Sequence, residues 1–167
     1  MVNLFEVWTE INAYLNKNMK EINKNYKFIK GNSIHNLPSY PYCITNVLVG
    51  YIQDNDTFEG TIIETSTKNG VKITRFTEPQ MTFSLTFYSD KQEEAMIFAT
   101  NTMSFLQTQK QLISYKCDII LLDCTKLVDK TSILETGYVY KWGFDIRLRV
   151  GDIVETQVDT IEEIELQ

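Results

Sequence analysis

Between Leu4 and about Asn23 the apolar residues Leu4, Trp8, Ile11, Leu15, Met19 and Ile22 return at every third or fourth position, the spacing of one face of an amphipathic helix. The pattern predicts a first helix, and aromatics such as Trp8 and Tyr14 in such a segment read as core rather than as a binding surface. Lys17, Lys20, Lys24, Lys27 and Lys30 recur at a similar interval, interrupted by Glu21 and several asparagines, and read as a solvated helix face. Gly31 to Pro41, with Pro38, Ser33, Asn36 and Ser39, breaks the pattern and predicts an extended loop. Tyr42 to Ile52 is rich in β-branched and aromatic residues and predicts a strand that ends in the turn Asp54-Asn55-Asp56.

Further on, Glu59–Thr67 and Val71–Phe76 flank Lys68-Asn69-Gly70, and Asn-Gly between two strand-like runs predicts a hairpin. Met81, Phe83, Leu85 and Phe87 alternate with polar partners up to Tyr88, a period of two that places a strand centrally over the core. Ser89 and Asp90 are candidate caps for a second helix with Glu93 and Glu94 in its first turn, running to roughly Ile113. Cys117 to Cys124 suits another strand, and Thr125 to Thr131 a polar connection. The clearest alternation follows: Tyr138, Tyr140, Trp142, Phe144, Ile146, Leu148 and Val150 against Val139, Lys141, Gly143, Asp145, Arg147, Arg149 and Gly151. It predicts a long antiparallel strand with one apolar and one wet face. The end, Thr160 to Leu166, fits either a last strand or an ordered arm.

Helix, strands, helix, strands, without regular βαβ alternation, implies an α+β fold: an antiparallel-rich sheet with two main helices packed on one face. At 167 residues the chain is sized for a single domain spanning 1–167, with a radius of gyration of about 15 Å. With 43% hydrophobic and 23% charged residues, it has enough apolar area to fold throughout. A formal charge of −6, with the bases dispersed, argues against a nucleic-acid-binding surface. The start carries neither a signal-peptide pattern nor, anywhere, a run long enough to span a bilayer, so a cytoplasmic site of synthesis and no membrane partner are expected.

Candidate chemistry is sparse. His35 is the single histidine and sits in the predicted loop, with no motif to orient it as a base. Cys43, Cys117 and Cys124 lack metal-ligand spacing and read as buried free thiols of a reducing compartment. The seven glycines fall at no phosphate-cradling spacing. Glu93-Glu94 and Glu162-Glu163 are sequence neighbours that point apart, so they share neither proton nor metal. No catalytic residue, cofactor site or metal site is therefore assigned. What stands out is surplus strand character, with threonines at 61, 65, 67, 74 and 77, and strand edges that are not blunted invite another chain.

Several stretches together resemble the neck or tail terminator proteins of tailed bacteriophages and phage-tail-like particles. They are the first helix, Pro38-Ser-Tyr-Pro-Tyr-Cys-Ile44, and Glu78-Pro-Gln-Met-Thr-Phe-Ser-Leu-Thr-Phe-Tyr88 leading into a helix with Ala95 and Ala99. Trp142-Gly-Phe-Asp-Ile-Arg147 and Thr160-Ile-Glu-Glu-Ile164 complete the set. The resemblance covers nearly the whole chain and implies a virion structural protein with no enzymatic activity, assembled in the bacterial host cytoplasm. It implies a ring of copies of itself, hexameric in such proteins, that caps the head-proximal end of the tail tube. Its implied partners are the tail tube protein and the neck or connector proteins, with DNA passing through the lumen without specific binding. Lys141, Asp145, Arg147, Arg149, Asn69, Gly70 and Arg75 are the candidate subunit or tube contacts. A tail tube or head-tail joining subunit is the alternative within the virion; a small intracellular ligand-binding domain or enzyme is the alternative outside it.

Overall fold

The computed structural model describes residues 2–32, 36–52, 60–67, 70–109, 111–113, 118–134 and 137–158. The Asn3 side chain accepts a hydrogen bond from the Phe5 N–H at 3.0 Å, and from this cap α1 runs Leu4–Ile22. Its stripe of Val7, Ile11, Leu15 and Met19 is buried. Asn23 turns extended (φ −148°, ψ 119°) and ends the helix. Lys30, expected on a helix face, instead lies in β1 (Phe28–Lys30), which pairs in parallel with β2 (Tyr42–Ile52).

The sheet strands follow the expected periods closely. β3 (Thr61–Thr67) and β4 (Gly70–Thr77) are the predicted antiparallel pair, while Lys68 and Asn69 of their turn lie outside the described residues. β5 (Gln80–Ser89) buries Met81, Phe83, Leu85 and Phe87. α2 (Gln92–Thr108) is preceded by an N-cap, Lys91, that makes no side-chain cap bond. Ser89 still serves the helix start, accepting from the Lys91 N–H at 3.2 Å and donating to the Glu94 carboxylate.

The second helix stops short of Ile113. Gln107, Thr108 and Gln109 have no apolar face to bury, and the chain turns into β6 (Gln111–Ile113), whose backbone pairs antiparallel with β7 (Asp118–Cys124). Within the polar connection lies β8 (Val128–Asp129), followed by β9 (Ser132–Leu134) and the long β10 (Gly137–Val150). Phe144, Ile146, Leu148 and Val150 are buried, but Tyr138, at the other end of the same apolar row, is 60% exposed. After Gly151 the chain forms β11 (Asp152–Val158), a strand the sequence pattern does not mark. His35, Cys117 and Thr160 to Leu166 lie outside the described residues.

These strands make two sheets. The larger runs β1-β2-β5-β10-β7-β6, with β8 and β9 also on β10, and both helices cover the face that carries Phe83, Phe87 and Phe144. Phe98 of α2 centres an aromatic cluster, 3.7 Å from the Tyr26 ring, 5.3 Å from Phe28 and 4.8 Å from Phe87. Truncating a ring so placed to alanine costs about 3–5 kcal/mol. The smaller sheet is β11-β4-β3.

One ribbon links the two sheets. β5 pairs with β10 up to Gln80↔Arg149, and β4 pairs with β11 from Thr77↔Asp152, so the same two chain segments stay partnered across Glu78-Pro79 and Gly151. The Val150 N–H donates to the Pro79 carbonyl at 3.0 Å at this corner. The smaller sheet is thus an extension of the core ribbon, widened by β3, and all seven residues of β3 are exposed.

Candidate assembly surfaces

The alternation in β10 decides what faces outward. Phe144, Ile146 and Leu148 point to the helices, so Lys141, Asp145, Arg147 and Arg149 share the opposite face, away from both helices. Their neighbours on β5 are Tyr88, Ser84, Thr82 and Gln80 respectively, and beyond these on β2 lie Tyr42 and Asn46. The four candidate residues of this strand therefore do come together on one surface.

That surface is nearly charge-balanced. Arg147 Nη2 meets Asp123 Oδ2 at 2.6 Å, and Arg149 Nη1 meets Glu78 Oε2 at 3.3 Å. Lys141 Nζ donates to Ser132 Oγ at 2.7 Å and lies 5.6 Å over the Tyr88 ring. The Asp145 N–H donates to Thr125 Oγ1 at 2.8 Å. Exposed pairs of this kind contribute at most about 1 kcal/mol each, so they orient side chains more than they stabilise the fold. At one end Tyr40, Tyr42 and Tyr88 stack at ring separations of 5.3 Å and 5.0 Å. Burial, with the neighbouring phenols, pushes Tyr42 up to about 12.

Arg75 and Gly70 belong elsewhere. Both lie on β4 in the smaller sheet, apart from the β10 group, and Asn69 lies outside the described residues. Arg75 helps line a cavity of ≈ 330 Å³ with Val2, Tyr51, Thr77, Asp152 and Val154. Buried Asp152 accepts there from the Val2 N–H at 2.7 Å. More prominent on this sheet is apolar exposure at Ile62, Ile63, Phe76, Ile153 and Val158. The signal for it is in the sequence: Ile62 and Ile63 are adjacent, and adjacent strand residues point to opposite faces, so both faces carry an isoleucine.

Burial pushes the Cys43 thiol well up, and burial together with Asp123 raises Cys124 to about 11, which leaves both protonated and poorly nucleophilic. Among the described residues no three His, Cys, Asp or Glu side chains gather to hold a metal, and no helix is long and apolar enough to cross a membrane. Flat sheet faces and an exposed edge are suited to contact with other polypeptides. A search of curated proteins finds no match. Residues 6–167 match the family model described as phage neck terminator protein.

Proposed function

The chain belongs to the phage neck terminator family, and from that premise we propose that this virion structural protein forms a closed ring, hexameric, on the head-proximal end of the tail tube. The ring ends tube polymerisation and offers the docking surface for neck or head proteins, while DNA passes through its lumen without specific binding. It is put together in the cytoplasm of the bacterial host, and its work is done by contact rather than catalysis. The observation that carries this reading is the smaller sheet, whose outer strand β3 is exposed along all seven residues and carries an exposed isoleucine on each face. A strand left in that state is a template for another chain. The polar face bearing Lys141, Asp145, Arg147 and Arg149 supplies a second, flatter contact to the tube or to a neighbouring subunit.

Electron microscopy and sizing of the purified protein, alone and mixed with tail tubes, test the proposal. The expected result is a discrete ring that seats on one end of a tube and stops its growth. Open-ended polymers would instead assign the chain to the tube itself. A protein that stays single at high concentration and leaves tubes growing would remove the terminator role.

A further inference from the structure

The smaller sheet has two outer strands, and among the described residues no further strand pairs with either: β3 closes one side and β11 the other. Every residue of β3 is exposed, as are Glu155 to Val158 of β11. Edges that must stay single are usually blunted by lysine, proline or a bulge. β3, Thr-Ile-Ile-Glu-Thr-Ser-Thr, has none of these, Glu64 being its single charge, and its ladder with β4 runs without a register shift. Ile62 is 60% exposed and Ile63 47%, one on each face. A strand added beside β3 would give each an apolar neighbour along the sheet.

We propose that β3 of one copy pairs, in parallel, with the outer edge of β11 of a second copy from Val154 to Val158, joining the smaller sheets head to tail. The inference rests on the ring reading above and names the junction that makes the ring. Its sense follows from topology. β3 and β11 both run antiparallel to β4, so they are parallel to each other within one copy. Rotation about a ring axis preserves that sense, whereas a two-fold pairing of β3 with β3 is antiparallel.

Area decides between a pair and a ring. Five paired residues span about 17 Å, and the edge of a single sheet about 10 Å thick covers roughly 170 Å² per partner over that length, well short of the ~800 Å² per partner typical of a stable two-body interface. One junction holds a dimer weakly. In a closed ring each copy is held by two junctions, and none is left open. With three strands from each copy, roughly five or six copies bring the sheet to about 15–18 strands, near the size at which a barrel leaves an aqueous channel.

Disulfide trapping tests this junction. Thr65→Cys is combined in turn with Glu155→Cys, Thr156→Cys, Gln157→Cys and Val158→Cys, oxidised, and run on a denaturing gel beside the unsubstituted chain as control for the native cysteines. Thr65 and Gln157 lie level with each other on either side of Lys72, about 9.6 Å apart across two strand spacings and beyond disulfide reach, so a bond between these strands joins two copies. At least one combination is expected to give a ladder that ends at a closed species, with each single variant giving none. Dimers from Thr65→Cys alone would reveal antiparallel two-fold pairing and overturn the inference. Rings by electron microscopy with no ladder from any combination would overturn the junction and leave the ring reading standing. A chain single in both assays would remove both.

Discussion

The Thr45 hydroxyl holds three elements together. It accepts from Trp8 Nε1 at 2.8 Å and Asn12 Nδ2 at 2.9 Å, both on α1, and lies 3.2 Å from the Ile29 carbonyl of β1 as a donor. The side chain is fully buried, so no water replaces it. Thr45→Val keeps the shape but removes the acceptor of Trp8 Nε1–H and of one Asn12 N–H, the amide keeping its bond to the Trp8 carbonyl, which should cost about 2–4 kcal/mol, measurable as a lower denaturant midpoint at unchanged slope. Tyr42 acts through pH. Its folded pKa is raised to about 12, above the ordinary phenol value of about 10, so the unfolded chain loses this proton first as pH climbs. The stability this group supplies is complete below the unfolded value and is lost as pH rises from there through the folded one. Tyr42→Phe should therefore flatten the fall in stability on the alkaline side, read from unfolding curves taken across that window.

Among the elements, β1 shows how a short strand is held without a pattern of its own. The Asn16 side chain donates Nδ2–H to the Phe28 carbonyl at 2.7 Å and accepts the Phe28 N–H at 3.0 Å, acting as a missing strand neighbour. Asn16→Ala removes both bonds at once. The expected result is a loss of about 1–3 kcal/mol with faster hydrogen exchange at Phe28, while β5 and β10 keep their protection. Three residues cannot express a period, so β1 is illegible in the sequence, and the lysine spacing through Lys30 suggests a helix instead. The over-long second helix has a related cause: the backbone of Gln111–Ile113 gains more from a ladder with β7 than from continuing a helix whose last turns are polar.

For the molecule as a whole, the continuous ribbon of β4-β5 and β10-β11 ties the exposed β3 edge to the core, with Arg149 and Glu78 paired beside its corner. Reversing Arg147 and Arg149 to glutamate sets like charges against Asp123 and Glu78. Since both pairs are exposed, the monomer should lose no more than about 1–2 kcal/mol. Formation of the proposed ring, read by sizing and electron microscopy, should fall much further. A double variant that assembles normally would show that this face lies outside the contacts. The lining of Arg75, Tyr51 and Val2 beside buried Asp152 puts the start of α1 at the same corner, so the N-terminal segment helps set how the smaller sheet leaves the core.

What the sequence by itself determined is the set of local periods. The three-and-four stripe of α1, the alternation from Met81 to Tyr88, and the shared face of Lys141, Asp145, Arg147 and Arg149 all follow from backbone geometry within a few residues. The tertiary structure alone decided which edges find partners. β11 becomes a strand because β4 lies beside it, Arg75 ends up in a different sheet from Arg147, and Tyr138 leaves the core although its row is buried further along. Those outcomes depend on ladders and on helix cover supplied by residues far away in the chain, and a period of two carries no record of either.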